Sequence, residues 1–153
     1  MGIIIDYSGW RVQRVEEKDI RRAGLKITQP RVKILDLLSN SLEHHLSAED
    51  IYKSLIGNGE EIGLATVYRV LTQFETAGLV HRHHFEGGQA VFELATEEHH
   101  DHMVCVKTGK VVEFHDPIIE QRQLELAKLH NFRITDHSLI LYGEFVEETD
   151  KTA

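Results

Sequence analysis

Leu64-Ala65-Thr66-Val67-Tyr68-Arg69-Val70-Leu71-Thr72-Gln73-Phe74-Glu75-Thr76-Ala77 is the stretch that decides the fold of the first half. Val67, Val70, Leu71 and Phe74 stand at i, i+3, i+4 and i+7, so a helix gathers them into one apolar stripe. Thr66, Arg69, Gln73 and Thr76 then fall on the opposite face, with Tyr68 at the flank, and Gly78 is placed to end the helix. Beyond it, Leu79-Val80-His81-Arg82 and Gln89-Ala90-Val91-Phe92 can pair as strands across a tip containing Gly87-Gly88.

Upstream, three shorter helices are predicted. Val15 to Ala23 has helical charge–apolar spacing and a stop at Gly24; Thr28 can cap a second helix with Pro30 in its first turn and Val32, Ile34, Leu35, Leu37 and Leu38 along it. Ser47-Ala48-Glu49-Asp50 resembles a capping box for a helix to about Ile56, stopped by Gly57-Asn58-Gly59. Helix, turn, helix and hairpin is the order of a winged helix-turn-helix, whose second helix can enter a major groove. Thr66, Tyr68, Arg69 and Gln73 suit phosphates, base edges and thymine methyls. An ordinary amphipathic helix with a polar outer face would show the same spacing.

The formal net charge of −8 argues against a nucleic-acid partner only as a total. Residues 1–90 carry 11 basic and 12 acidic groups, and residues 91–153 carry 6 and 13. Between positions 11 and 33, eight basic groups (Arg11, Arg14, Lys18, Arg21, Arg22, Lys26, Arg31, Lys33) face three acidic ones. Charge acts on a phosphate backbone within about 10 Å, so this local excess matters more than the sum. The single cysteine, Cys105, forbids an intrachain disulfide or a Cys-x-x-Cys clasp and fits a reducing cytoplasm. No apolar run approaches the roughly 18 residues of a membrane span, and the start lacks the basic flank of a signal peptide and the residue that myristoylation requires at position 6.

In the second half the chemistry concentrates at His99-His100-Asp101-His102. If this run leads into a strand through Met103-Val104-Cys105-Val106, side chains alternate, with His99 and Asp101 on one face and His100 and His102 on the other. One strand would then seed two metal sites. Further ligands are sought among Glu93, Glu113 after the Lys107-Thr108-Gly109-Lys110 turn, Glu120 and His137. Glu120 belongs to a helix expected after Asp116 as N-cap, with Pro117 first, ending near His130-Asn131. Phe132 to Val146 reads as one or two strands. The expected class is α+β: a winged-helix domain over residues 1–94, with 1–12 disordered, then a small α/β dimerisation domain over 95–153 that gains by burying a face against its twin.

The ordered series Gly24-Leu25-Lys26-Ile27-Thr28-Gln29-Pro30-Arg31, Ala65-Thr66-Val67-Tyr68-Arg69-Val70-Leu71, Gly78-Leu79-Val80, His99-His100-Asp101-His102, Cys105, Val112-Glu113-Phe114 and Asp136-His137 closely resembles the ferric uptake regulator family, over well more than half the chain. The resemblance implies a homodimeric, cytoplasmic, DNA-binding repressor of iron-uptake genes with Fe²⁺ as co-repressor and an AT-rich palindromic operator; pairing of dimers into tetramers stays open. It implies a regulatory site between domains from His45, Glu93, His100, His102 and Glu113. The second site, within the dimerisation domain, takes His99, Asp101, Glu120 and His137. DNA contacts would come from Lys26, near the minor groove, and from Thr66, Tyr68 and Arg69. His45 is preferred to His44 because it directly precedes Leu46-Ser47-Ala48-Glu49-Asp50; His81, His83, His84, His115 and His130 are read as surface residues.

Nitrogen and oxygen ligands without thiolate suit Fe²⁺, Mn²⁺, Co²⁺ or Zn²⁺, and Zn²⁺ or Mn²⁺ would fill the same sites in vitro. Many relatives carry Cys-x-x-Cys after this His run; here the positions are Cys105 and Thr108, so that structural zinc is expected to be absent and Cys105 to be a small buried residue. The missing pair argues against the zinc-sensing branch and Glu113 against the peroxide-sensing one, while manganese sensing stays open. A mononuclear metal enzyme or a metal-storage protein could use the same ligands. Neither would need Tyr68 or Arg69, and no separate nucleophile motif is present.

Overall fold

The computed structural model describes residues 15–86, 88–95 and 99–146. Arg11, Arg14, Gly87 and the segment 1–12 lie outside them. The chain divides into two units.

The first unit holds residues up to His84 together with the segment that begins at Gln89. Its elements are α1 (Glu17–Arg22), α2 (Gln29–Asn40), β1 (Leu46–Ser47), α3 (Ala48–Gly57), α4 (Leu64–Thr76), β2 (Val80–His84) and β3 (Ala90–Leu94). The α3 capping box is complete: Ser47 Oγ accepts from the Asp50 amide and the Asp50 carboxylate accepts from the Ser47 amide, both at 3.1 Å. Aspartate replaces glutamate there because its shorter arm still reaches one turn back. Thr28 occupies the N-cap of α2 with extended backbone, but its hydroxyl caps nothing, so Pro30 is left to favour the start. Gly24 and Gly78 take φ of 83° and 77°, which a side chain would resist, and they let the chain leave α1 and α4.

Ile20, Ile34, Leu35, Ile51, Val67, Leu71, Phe74, Val80 and Phe92 form one buried cluster, and the α4 stripe is its centre. The hairpin is longer than the sequence suggested, running from Val80 opposite Leu94 to His84 opposite Ala90. A third strand, β1, pairs with β3 through Leu46 opposite Phe92, giving the order β1-β3-β2. Two residues are too few to show alternation, so β1 left no mark in the sequence.

The second unit takes residues 85, 86, 88 and those from 99 onward among the described residues. It contains β4 (Asp101–Cys105), β5 (Val111–Phe114), α5 (Pro117–Leu129) and β6 (Ile140–Gly143). The β4–β5 pair is antiparallel around a turn with Gly109 at φ 74°, and β6 joins the other side of β4 in parallel. A parallel neighbour requires a crossover, which α5 supplies. Asp116 Oδ1 accepts from the Ile118 and Ile119 amides, and Asn131 at φ 51° ends the helix. Of the expected strand from Phe132 to Val146, only Ile140–Gly143 pairs; the preceding residues carry the chain back to where β6 can begin alongside β4. Within one chain α5 buries none of its residues, and Ile118 and Leu129 are 79% and 72% exposed.

Candidate metal centres and nucleic-acid face

On α4, Tyr68 and Arg69 are exposed, whereas Thr66 and Gln73 are only partly so. The Tyr68 hydroxyl donates to Glu49 Oε1 on α3, and this bond to a carboxylate raises the phenol above its ordinary range. Gln73 is not the open group its spacing suggested: its Oε1 accepts from Arg31 Nη2 at 2.8 Å. Lys26 is exposed in the connection between α1 and α2. Arg82 of β2 pairs with Glu75 at 3.0 Å and lies 5.1 Å over the Phe92 ring, joining the hairpin to α4.

Also in the first unit, Glu93 on β3 is 3% exposed. His45, just before β1, places Nε2 2.9 Å from Glu93 Oε2. The β1–β3 pairing brings them together, since Leu46 stands opposite Phe92. His83 Nε2 bonds the other carboxylate oxygen, Oε1. His83 is therefore not the surface residue expected from sequence. The clue was register: His81 sits directly opposite Glu93, and His83 lies two positions along on the same face.

In the second unit the run 99–102 sorts by alternation. His99 Nε2 lies 3.0 Å from Asp101 Oδ1, and the rings of His100 and His102 pack at 5.0 Å between centroids. His102 stands opposite Glu113 in the β4–β5 ladder, and His100 Nε2 is 3.6 Å from Glu113 Oε1. On the other face, Glu120 from the first turn of α5 reaches His99 at 3.4 Å and His137 at 3.3 Å. The rings of His99 and His137 lie 4.1 Å apart, and ligand atoms from His99, Asp101, Glu120 and His137 all fall within 4.8 Å of one another.

This four-residue cluster fits a divalent ion on one further observation. Asp101 is 0% exposed and its Oδ2 has no hydrogen-bond partner among the described residues. A buried carboxylate oxygen without a donor is costly, and a cation removes the cost. Two imidazoles and two carboxylates are a nitrogen–oxygen set for Fe²⁺, Mn²⁺, Co²⁺ or Zn²⁺.

Cys105 is buried at the end of β4. Hydrogen bonding to the Thr108 side chain, and then to its backbone, lowers the thiol to about 7. Thr108 is thus a hydrogen-bond partner of the sulfur where a second thiolate would complete a zinc clasp.

The sequence from 22 to 142 matches the family model described as Ferric uptake regulator family. The ferric uptake regulation protein of Legionella pneumophila is 62% identical over 128 residues, covering 84% of this chain and 94% of that one. Among solved structures, the Vibrio cholerae ferric uptake regulator, described by a rearrangement of its DNA-binding domains, is 58% identical with a TM-score of 0.79, covering 84% and 98% of the two chains. The Francisella tularensis ferric uptake regulator, solved with iron, is 42% identical with a TM-score of 0.74, covering 80% and 92%. With a winged helix, a strand whose two faces carry nitrogen and oxygen donors and relatives matched over nearly their whole length, this chain belongs to the ferric uptake regulator family.

Proposed function

We propose that the protein is a metal-responsive transcriptional repressor of iron-uptake genes, not an enzyme, acting as a homodimer on operator DNA in the cytoplasm with Fe²⁺ as co-repressor. The observation that carries this reading is the fully buried Oδ2 of Asp101, without a hydrogen-bond partner among the described residues, beside two imidazoles and a second carboxylate, on a chain whose α4 also presents Tyr68 and Arg69 to solvent. DNA reading belongs to residues 1–94, through Lys26, Thr66, Tyr68 and Arg69, and dimerisation to 95–153. The apolar positions left exposed on α5 (Ile118, Leu129), on β6 (Leu141) and just beyond it (Phe145) support pairing with a second copy. The operator is palindromic, as a two-fold dimer demands of its DNA, and AT-rich, as the family resemblance implies.

Regulation follows from where the ligands belong. His45 and Glu93 are residues of the DNA-reading unit, and His100, His102 and Glu113 of the other; we assign all five to one regulatory centre. When bound there, a divalent ion supplies positive charge that three imidazoles and two carboxylates can share. Donors divided in this way make affinity for the ion depend on how the units are arranged, and by linkage make DNA affinity depend on the ion. Turning 1:99 into 99:1 requires a differential affinity of about 10⁴-fold. His99, Asp101, Glu120 and His137 belong to one unit alone, so their centre stabilises that unit without setting the arrangement.

Operator binding by the apo protein against a series of divalent metals under anaerobic conditions tests this reading. Fe²⁺ is expected to produce tight binding that chelation abolishes. Metal-independent binding, or turnover of a substrate by the metal-loaded protein, would remove it.

A further inference from the structure

Arg31 on α2 belongs to neither ligand set, yet its guanidinium spans two other elements. Nη1 donates to the Lys26 carbonyl at 2.6 Å, while Nη2 and Nε donate to Gln73 Oε1 on α4 at 2.8 and 3.3 Å. A guanidinium has donors only, so the atom of Gln73 facing it must be the amide oxygen. Lys26 is an exposed cation on the loop before α2, and Arg69 an exposed cation on α4. One rigid, planar fork thus joins the loop that carries the first to the helix that carries the second.

We propose that Arg31 is a positioning residue of the DNA reader, which fixes the Lys26 loop against α4 so that both cations meet the phosphate backbone in one register. The inference rests on the DNA-binding reading above. It also assigns Gln73 a restricted role. A bidentate adenine contact uses the amide oxygen and nitrogen together, and here the oxygen is committed to Arg31. Gln73 can offer only N–H donors, to a phosphate oxygen, to guanine N7 or O6, or to thymine O4. Arg31 reads no base itself.

The test is a set of three double-mutant cycles on the metal-loaded protein, with affinity for an AT-rich palindromic duplex measured by anisotropy across a salt series. In the wild-type background Lys26→Ala should weaken binding roughly ten-fold and lower the salt slope by about 1, as the loss of one phosphate contact does. In the Gln73→Ala background, which keeps the charge of Arg31 but removes its anchor on α4, the same substitution should cost less than about two-fold and leave the slope unchanged. Arg31→Ala should behave alike, and so should Arg31→Lys, whose ammonium cannot span both partners. Equal effects of Lys26→Ala in every background would overturn the proposal, as would wild-type affinity and slope in Arg31→Lys, since Arg31 would then act only as a charge. If Arg31→Ala fails to fold, the Gln73→Ala cycle decides alone. Absence of DNA binding by the metal-loaded wild type would instead overturn the functional reading on which this one rests.

Discussion

Replacing Asp101 with asparagine should make the order of stability of variant and wild type depend on metal: the variant at least matches wild type without it and falls below wild type with it. Asp101 is fully buried; Oδ1 meets His99 Nε2 at 3.0 Å and Oδ2 meets no donor among the described residues. In the metal-free protein the orphaned oxygen of a buried carboxylate costs on the order of 1–3 kcal/mol or more, and a neutral amide of the same shape costs less. Asp101→Asn should therefore be at least as stable as wild type without metal. With metal in excess the comparison changes. Free ion at 1,000 times its dissociation constant stabilises a single site by about 4 kcal/mol, which for a chain of this size raises the melting temperature by roughly 8–16 °C. The variant, lacking the buried negative charge, should lose most of that increment and bind one ion fewer per subunit. Scanning calorimetry after exhaustive chelation and again after reloading reads the stability, and elemental analysis reads the stoichiometry. A variant destabilised equally in both states, with unchanged metal content, would refute the reasoning, because Asp101 would then be a structural hydrogen-bond acceptor and nothing more.

Other substitutions separate the remaining roles. His100→Ala and Glu93→Ala should each abolish metal-triggered operator binding, whereas His99→Ala and His137→Ala should lose one ion and keep part of the response; identical loss of ion and DNA binding in His99→Ala and His100→Ala would defeat the division. Arg69→Ala should weaken operator binding by about 1–3 kcal/mol if it makes a specific base contact, with metal content unchanged, as gel-shift titration would show. Thr108→Val should return the Cys105 thiol from about 7 toward its ordinary 9, followed by thiolate absorbance against pH. The sign of that shift is that of an acid strengthened by folding: its contribution to stability is complete above pH 9 and is lost as pH falls through about 7. Cys105→Ser should retain dimerisation and metal-dependent repression.

The parts of the fold written in long periods were legible in the sequence. Four apolar residues at helical spacing put α4 in the core, and Ser47 with Asp50 marked the start of α3. The boundaries of the hairpin were less so, because His81, Arg82, His83 and His84 hide a strand behind polar side chains whose pairing only the opposite strand reveals. A fixed period also overreached: Phe132 to Val146 has apolar residues enough for two strands, but its first part must return the chain to the start of β4 and pairs only from Ile140.

The candidate site divides along the same line, between contacts set by local period and contacts set by tertiary pairing. Alternation along a strand needs no partner, so the separation of His99 and Asp101 from His100 and His102 could be argued from four letters. The bonds that aim these groups could not. His83 reaches Glu93 only because the hairpin pairs in one register, and a shift of one residue would turn it to the other face. Tyr68 meets Glu49 across 19 positions and Arg31 meets Gln73 across 42, through helices whose packing no local pattern encodes. Both contacts consume hydrogen-bonding capacity on the side of α4 that the sequence offered as open. Residue type and exposure therefore overstate what a recognition helix can read. The lone pairs and protons left over after its own neighbours are satisfied set the chemistry it can present to a base edge.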